Sequence, residues 1–244
     1  MMDKKKAKQF ADFAFKDIFN RENPFSLDEM EERFAFGLIL PKKEKDSLTG
    51  NDVWLTRKTT DKVMQWGGWD KQDKNGTGTV REGAGIKNMD DLIGSWNKIM
   101  YNLAGRSANA IDCIESDSVY DSNELYRCSK AVKSQKCLFC NDIVNDRYCI
   151  ALTYAWNSTS VIRAVDSRAP LSQSFALNWC GRVSRSMYLS NCMDMYECMF
   201  CANLRGKRYC IANMQFTKEE YMPIKEMVID WTIDNFGPKK SVLF

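Results

Sequence analysis

Histidine is absent from this 244-residue chain, and no apolar run approaches the ~20 residues that would cross a bilayer. Without histidine the chain cannot by itself build a Ser-His-Asp or Cys-His catalytic site or a histidine-liganded zinc. Acid–base chemistry would depend on Asp, Glu, Lys, Tyr or Cys. The absence therefore favours a non-enzymatic role.

A strong excess of charge of either sign is also missing, since 35 Lys and Arg face 32 Asp and Glu for a net charge of +3. The three lysines at residues 4–6 are typical of a solvated helix start, so nucleic acid is not expected as a partner. The first residues lack the apolar stretch of a signal peptide. We expect synthesis in the cytoplasm, no membrane partner, and ten cysteines that are thiols, metal ligands or small buried groups.

The first 110 residues are predicted to form a helical N-terminal region. Apolar spacing from Lys4 to Phe19 predicts one helix with an apolar face. Ser26 and Glu29 have the form of a capping box, which opens a second helix to about Phe36.

Residues 42–51 resemble a charged turn, and residues 53–55 fit either a strand or the start of a helix. Glycine-rich, polar residues 70–85 predict a long exposed loop. Asn88 or Asp90 should then cap a helix whose stripe is expected to face the core; the stripe comprises Leu92, Ile93, Trp96, Ile99, Met100 and Leu103. The tryptophans at 66, 69, 156 and 179 are candidate contact residues with core packing as their default role.

From Ile111 onward the hydrophobic period changes to six. Apolar or cysteine residues recur at Cys113, Val119, Leu125, Ala131, Cys137, Ile143 and Cys149. This period fits neither a helix of 3.6 residues per turn nor a meander of hairpins. It fits short strands in the coils of a β-solenoid, whose equivalent positions stack into internal ladders.

A 61-residue duplication crosses this region. The pair Cys137 and Cys140 returns as Cys198 and Cys201, and each pair is followed by Arg-Tyr-Cys-Ile-Ala. Two C-x-x-C pairs can form a tetrathiolate zinc site, but they usually lie 15–20 residues apart on knuckle turns. The 57 intervening residues and the large apolar residues between the cysteines favour ladder packing. Zinc remains the alternative, and no other cofactor is predicted.

The second copy runs into a distinctive C-terminal ending. It resembles the pattern C-x-x-C-x-x-L-R-x-K-x-Y-C-I-x-N-x-Q-x-x-K-E-E-Y, which recurs in cysteine-rich proteins of bacteriophages and small-genome bacteria with no known activity. The matching residues are Cys198, Cys201, Leu204, Arg205, Lys207, Tyr209, Cys210, Ile211, Asn213, Gln215, Lys218, Glu219, Glu220 and Tyr221. Members often carry zinc-ribbon cysteines near their start, but this chain has none before Cys113, so the resemblance supplies no metal site.

The sequence predicts an α+β fold with three parts: a helical region at 1–110, a cysteine-rich, duplicated β-solenoid-like region at 111–215, and a C-terminal helix and tail at 216–244. Thr217 and Glu220 open that helix, which is expected to cap the open end of the solenoid.

The predicted function is a non-catalytic structural or protein-interaction component. Its partners would be other proteins of an assembly or further copies of the chain, and the resemblance implies a place in a bacteriophage virion. The enzymatic alternatives are a hexapeptide-repeat acyltransferase, which normally needs histidine, and a β-helical glycan hydrolase. The hydrolase needs two converging carboxylates; the acidic residues near the solenoid are Asp112, Asp117, Asp121, Glu124, Asp194 and Glu197.

Overall fold

The computed structural model describes residues 1–67, 82–83, 85–153, 159–165, 175–178 and 180–238. Most of the predicted glycine-rich loop and three candidate contact residues, Trp69, Trp156 and Trp179, lie outside this range. The helices of the described chain are α1 (Lys4–Phe19), α2 (Leu27–Phe34), α3 (Met89–Ile99) and α4 (Lys218–Asn235). The strands are β1 (Lys42–Lys45), β2 (Asp52–Leu55), β3 (Val63–Gln65), β4 (Asn102–Ala104), β5 (Ser107–Ala108), β6 (Ile111–Ile114), β7 (Asp117–Tyr120), β8 (Asn123–Tyr126), β9 (Ser129–Val132), β10 (Asn141–Val144), β11 (Arg147–Thr153), β12 (Thr159–Val165), β13 (Phe175–Asn178), β14 (Met187–Ser190), β15 (Cys210–Ile211) and β16 (Met214–Gln215).

The predicted α+β fold with a β-solenoid body is confirmed. Its coil is 12 residues long, because parallel partners differ by 12 in number: Asp117 pairs with Ser129, and Ser129 with Asn141. Every third residue from Asn109 to Ala151 has a positive φ angle. Four left-handed residues per 12-residue coil give four sides of three residues each, so the hexad of the sequence is half a coil.

The interior of the solenoid receives one side chain from each three-residue side. The apolar and cysteine residues among them form a single buried cluster: Val119, Leu125, Cys128, Ala131, Cys137, Cys140, Ile143, Cys149, Leu152, Val161, Ala164, Cys180, Val183, Leu189, Cys192, Met195, Cys198, Cys201 and Cys210. Cys113 packs against it and is partly exposed, while the other nine cysteines are buried. Small side chains suit this space because stacked residues lie only about 4.8 Å apart.

One flank of the solenoid is apolar on its outside and carries the helices. The row Tyr126, Leu138 and Ile150 belongs to the same buried cluster as Phe15 of α1, Phe34 of α2 and Ile229 of α4. Polar contacts fix the helices on this flank. Arg163, for example, donates to the carbonyl oxygens of Phe34 at 3.1 Å and Phe36 at 2.9 Å. The apolar faces of α1 and α2 thus pack against the solenoid.

The C-terminal helix contacts the last coils. Tyr188 shares a 2.8 Å hydroxyl–hydroxyl hydrogen bond with Thr232, and Lys225 forms a 2.6 Å ion pair with Glu197. Both predicted capping boxes, at Ser26–Glu29 and Thr217–Glu220, are present.

The 61-residue offset of the duplication is five coils plus one residue. Strand partners differ by 12 along the body, except that β12 pairs with β13 at an offset of 13, as in Ile162 with Phe175. The extra residue therefore falls in the sequence between these two strands. The left-handed position shifts with it and recurs every third residue from Arg182 to Ala212.

Two small sheets precede the solenoid. β1 pairs antiparallel with β2, and β3 pairs parallel with β4. The prediction of a charged turn at 42–51 was therefore wrong for residues 42–45, which form β1, while residues 53–55 adopt the strand alternative. The three lysines of β1 are exposed and Glu44 is half-buried, so the charges of this two-stranded sheet stay in contact with water and do not prevent strand pairing.

The C-terminal edge of the solenoid is closed by side chains of the recurrent ending. The Asn213 side chain accepts a 3.0 Å hydrogen bond from the Ala202 amide and donates one of 3.0 Å to the Ala202 carbonyl oxygen. Gln215 donates to the Arg208 carbonyl oxygen at 2.7 Å. These bonds satisfy groups that the last coil would otherwise present as an open edge. The Asn and Gln of the ending thus act as caps of the solenoid.

Replacing Asn213 by alanine should lower the free energy of unfolding by about 1–2 kcal/mol, since both cap bonds are lost and alanine is strained at φ 62°. Asn213→Gly is the matched control, because glycine accepts that φ angle but also lacks the cap. Denaturant unfolding should place the glycine variant between the wild type and the alanine variant. A glycine variant as stable as the wild type would contradict the capping role.

No helix among the described residues combines the length and the apolar character that crossing a bilayer requires.

Candidate interaction surface

The helix α3 forms where the sequence predicts it. Asn88 is its N-cap and accepts a 2.9 Å hydrogen bond from the Asp91 amide. Asp90 and Asp91 lie in the first turn, and Lys98 lies in the last. The negative charges lie at the positive end of the helix dipole and the positive charge lies at its negative end, which is favourable at both ends. The N-cap and the charged residues at the two ends therefore stabilise α3.

The prediction that the apolar stripe of α3 faces the core was wrong. No residue of the helix is buried. Met89, Leu92, Ile93 and Trp96 are 45–65% exposed. Ile99 and Met100 are half-buried at its end, and Leu103 lies in β4. The predicted helix is confirmed, but the described part of the protein presents no core to its apolar face.

Spacing makes this stripe a defined surface. Met89, Leu92, Ile93 and Trp96 stand at positions i, i+3, i+4 and i+7, the spacing with which an amphipathic helix anchors in a groove of another protein. We call these four residues the α3 stripe. Large exposed apolar residues scattered singly are ordinary, but four on one helix face form a patch.

The outer solenoid faces away from the helices include polar rows whose members pair with one another. Residues one coil apart bond to each other, as in the Lys130–Asp142 ion pair at 2.9 Å and the Asn191–Asn203 hydrogen bond at 3.3 Å. Such ladders satisfy their own groups. The paired rows therefore leave few hydrogen-bonding groups for a partner to bind.

The acidic residues considered for glycan hydrolysis have partners of their own. Each bonds an amine, guanidinium or amide group: Asp112 with the N-terminus, Asp117 with Arg106, Asp121 with Asn109, Glu124 with Lys6, Asp194 with Arg182 and Arg205, and Glu197 with Lys225. This distribution is typical of carboxylates that stabilise coils and hold helices in place.

The two C-x-x-C pairs lie far apart in the solenoid. Cys137 and Cys140 occupy neighbouring sides of one coil, and Cys198 and Cys201 occupy a coil five strand-to-strand steps further on. Five steps of about 4.8 Å separate the pairs by about 24 Å, whereas zinc–sulfur bonds are about 2.3 Å long. A single ion therefore cannot bind all four cysteines. Across the described residues, no three Cys, Asp or Glu side chains converge as a metal-binding group.

Interior thiols bond to the backbone in a repeated pattern. Cys128 Sγ donates to the carbonyl oxygens of Tyr126, two residues earlier, and Cys137, nine residues later, at 3.4 and 3.2 Å. Serine at an inward position makes the first of these two bonds. Ser122 Oγ donates to the carbonyl oxygen of Tyr120, two residues earlier, at 2.8 Å. Cysteine and serine thus fill the narrow interior and also donate hydrogen bonds to carbonyl oxygens there. Apolar packing alone would not explain why cysteine occupies these positions, because an apolar side chain cannot donate such bonds.

Burial and thiol–thiol contacts together raise the pKa of some of these cysteines and lower that of others. Burial and the Cys128 thiol raise the pKa of Cys140 well above its ordinary value. Hydrogen bonds from Cys140 and Cys149 outweigh burial at Cys137 and lower its pKa. Thiols in contact therefore compete for a single negative charge.

No known protein family, curated protein or solved structure matches the chain.

Proposed function

We propose that the protein is a non-catalytic interaction component that uses the solenoid as a rigid scaffold and the α3 stripe as its docking element. The observation that carries the proposal is the exposure of all four stripe residues on a helix whose caps and end charges are in place. The apolar face of such a helix is left uncovered by the described part of its own chain.

The partner that fits this surface is a protein with an apolar groove about two to three helical turns long. Trp96 and Leu92 would act as anchors, because large side chains buried at the centre of an interface dominate binding. Asp90 and Asp91 favour a basic rim at the end of the groove that receives the helix N-terminus.

The finer proposal places this interaction in the assembly of a bacteriophage particle, and it is supported by the resemblance of the C-terminal ending. Quantitative mass spectrometry of purified particles tests it. A fixed number of copies per particle is expected, and recovery of the chain only as a free protein outside the particles would contradict it.

A photo-crosslinking amino acid at position 96 tests the docking element in cells that make the protein. We expect a discrete crosslinked partner at this position and none from the same amino acid at Lys133, an exposed solenoid residue. The variant Leu92→Ser, probed with the crosslinker at position 96, should lose most of the adduct while the free energy of unfolding stays within about 0.5 kcal/mol of wild type.

A large loss of stability in Leu92→Ser would instead show that the stripe packs within the chain. Equal adducts from positions 96 and 133 would also contradict a specific docking surface. An adduct between two copies of the chain would identify the partner as self.

A further inference from the structure

Eight of the ten cysteines form four pairs whose members are stacked one coil apart. The 12-residue register aligns Cys128 with Cys140, Cys137 with Cys149, Cys180 with Cys192, and Cys198 with Cys210. Cys113 and Cys201 are the exceptions. Cys113 aligns with Leu125, and Cys201 follows Leu189 in its row.

Contacts between thiols accompany this alignment. The Cys137 thiol interacts with that of Cys149, and the Cys140 thiol with that of Cys128, while Cys137 and Cys140 also interact with each other across one corner of the coil. Cys180 contacts Cys192 in the same way. Adjacent parallel strands hold aligned Cα atoms about 4.8 Å apart, which lies within the 4.4–6.8 Å range of disulfide-bonded residues.

We propose that these four pairs are latent cross-links, which a small-molecule disulfide converts into disulfide bonds between successive coils. In a reducing environment they remain thiols that pack and bond to carbonyl groups. In an oxidising one each pair would tie one coil to the next, which gives two such links in each half of the solenoid. This inference is independent of the α3 docking surface.

The chemistry proceeds by two exchanges. One cysteine thiolate attacks a sulfur of the small disulfide, forms a mixed disulfide and releases one small thiolate. The second cysteine of the pair loses its proton and attacks the protein sulfur of the mixed disulfide, which releases the second small thiolate. Two protein thiols are thereby oxidised to one disulfide, the reagent is reduced to two thiols, and the two protons go to the released thiolates.

Access limits the rate, because the paired thiols are buried. Opening of the last coils would expose Cys210 and Cys198 first. Cys192 is suited to act as a nucleophile once it is reached, since the hydrogen bond from Cys180 lowers its pKa to about 6.

Oxidised glutathione is the reagent for the test. Protein purified with reductant is incubated with it, both in buffer and in sub-denaturing guanidinium that permits coil opening. Free thiols are then alkylated under denaturing conditions, and cross-links are mapped by peptide mass spectrometry. We expect thiols to fall from ten to two, with cross-links only between cysteines 12 residues apart and with Cys113 and Cys201 alkylated. The unfolding midpoint should rise by at least about 5 °C and return on reduction.

Two variants make the assignment specific. Cys149→Ala should retain three thiols after oxidation, because Cys137 loses its partner. Cys201→Ala is the matched control and should retain one thiol, with all four cross-links intact. Cys128→Ala substitutes for Cys149→Ala if the latter does not fold.

Ten remaining thiols under the opening conditions would overturn the proposal. So would persistent mixed disulfides with glutathione, or cross-links of another spacing such as Cys137 to Cys140.

Discussion

Replacing Ile143 by alanine is expected to lower the free energy of unfolding by about 2–5 kcal/mol. Ile143 projects from β10 into the solenoid interior and is completely buried. Its row neighbour one coil earlier is Ala131, which is too small to fill the space that a truncated residue would leave. Hydrogen bonds between coils hold the walls in place, so the cavity cannot collapse. Guanidinium unfolding in the presence of reductant measures the loss.

Val144→Ala is the control for this prediction. Val144 is the next residue of the same strand, but its side chain points outward and is 37% exposed. Its truncation should change the free energy of unfolding by no more than about 0.5 kcal/mol. Similar losses for the two variants would contradict the assignment of inward and outward positions.

The solenoid could be predicted from the sequence because its interior alternates in size. Small residues such as Ser116, Ser122 and Ser134 separate larger ones such as Val119 and Leu125. Inward positions recur every third residue, but this alternation doubles the apparent period to six. The sequence therefore revealed half of each coil, and strand register was needed to show the full 12-residue turn.

The left-handed corners carry no comparable signal. Asp112, Lys130 and Phe139 adopt φ angles of 50–56° at three different corners of the coil, although their side chains share no chemical property. A left-handed conformation normally favours Gly or Asn. Here hydrogen bonds between coils impose it on almost any residue, so propensity could not have located the corners.

The predictions about individual surfaces depended on information that is not local. The period of α3 shows that Leu92, Ile93 and Trp96 share a face, but it cannot show whether that face meets a core. The spacing of Cys140 and Cys198 likewise does not reveal how many coils lie between them. Topology decides both points.

Replacing Asp117 by alanine is expected to cost about 2–4 kcal/mol, the second large effect. Asp117 lies on the second described coil and has a fully buried side chain. It accepts hydrogen bonds from the Thr56 amide at 3.1 Å and from the Arg106 amide at 3.1 Å. It also receives two bonds from the Arg106 guanidinium, at 3.2 and 2.9 Å. The carboxylate thus joins the N-terminal sheets to the solenoid, and its loss leaves several donors unpaired.

The expected cost stays below that of a wholly buried ion pair because Arg106 is 37% exposed and can turn to water. Asp142→Ala is the matched control, since Asp142 pairs with Lys130 on the solvent-facing side. It should cost less than about 1 kcal/mol. Equal costs for both variants would contradict the joining role of Asp117.

The pH dependence provides a second test of the same carboxylate. Burial alone would raise the pKa of Asp117, but its hydrogen bonds from Arg106 and Thr56 prevail and lower it. A carboxyl group with a lowered pKa in the folded state stabilises the protein above its unfolded pKa of about 3.9, and this stabilisation is lost as the pH falls through the folded pKa. The difference in unfolding free energy between wild type and Asp117→Ala should therefore be constant near neutral pH and shrink below about pH 4. A difference that does not vary across this range would show that the charge of Asp117 contributes nothing to the joint, because the remaining cost would then arise from lost packing.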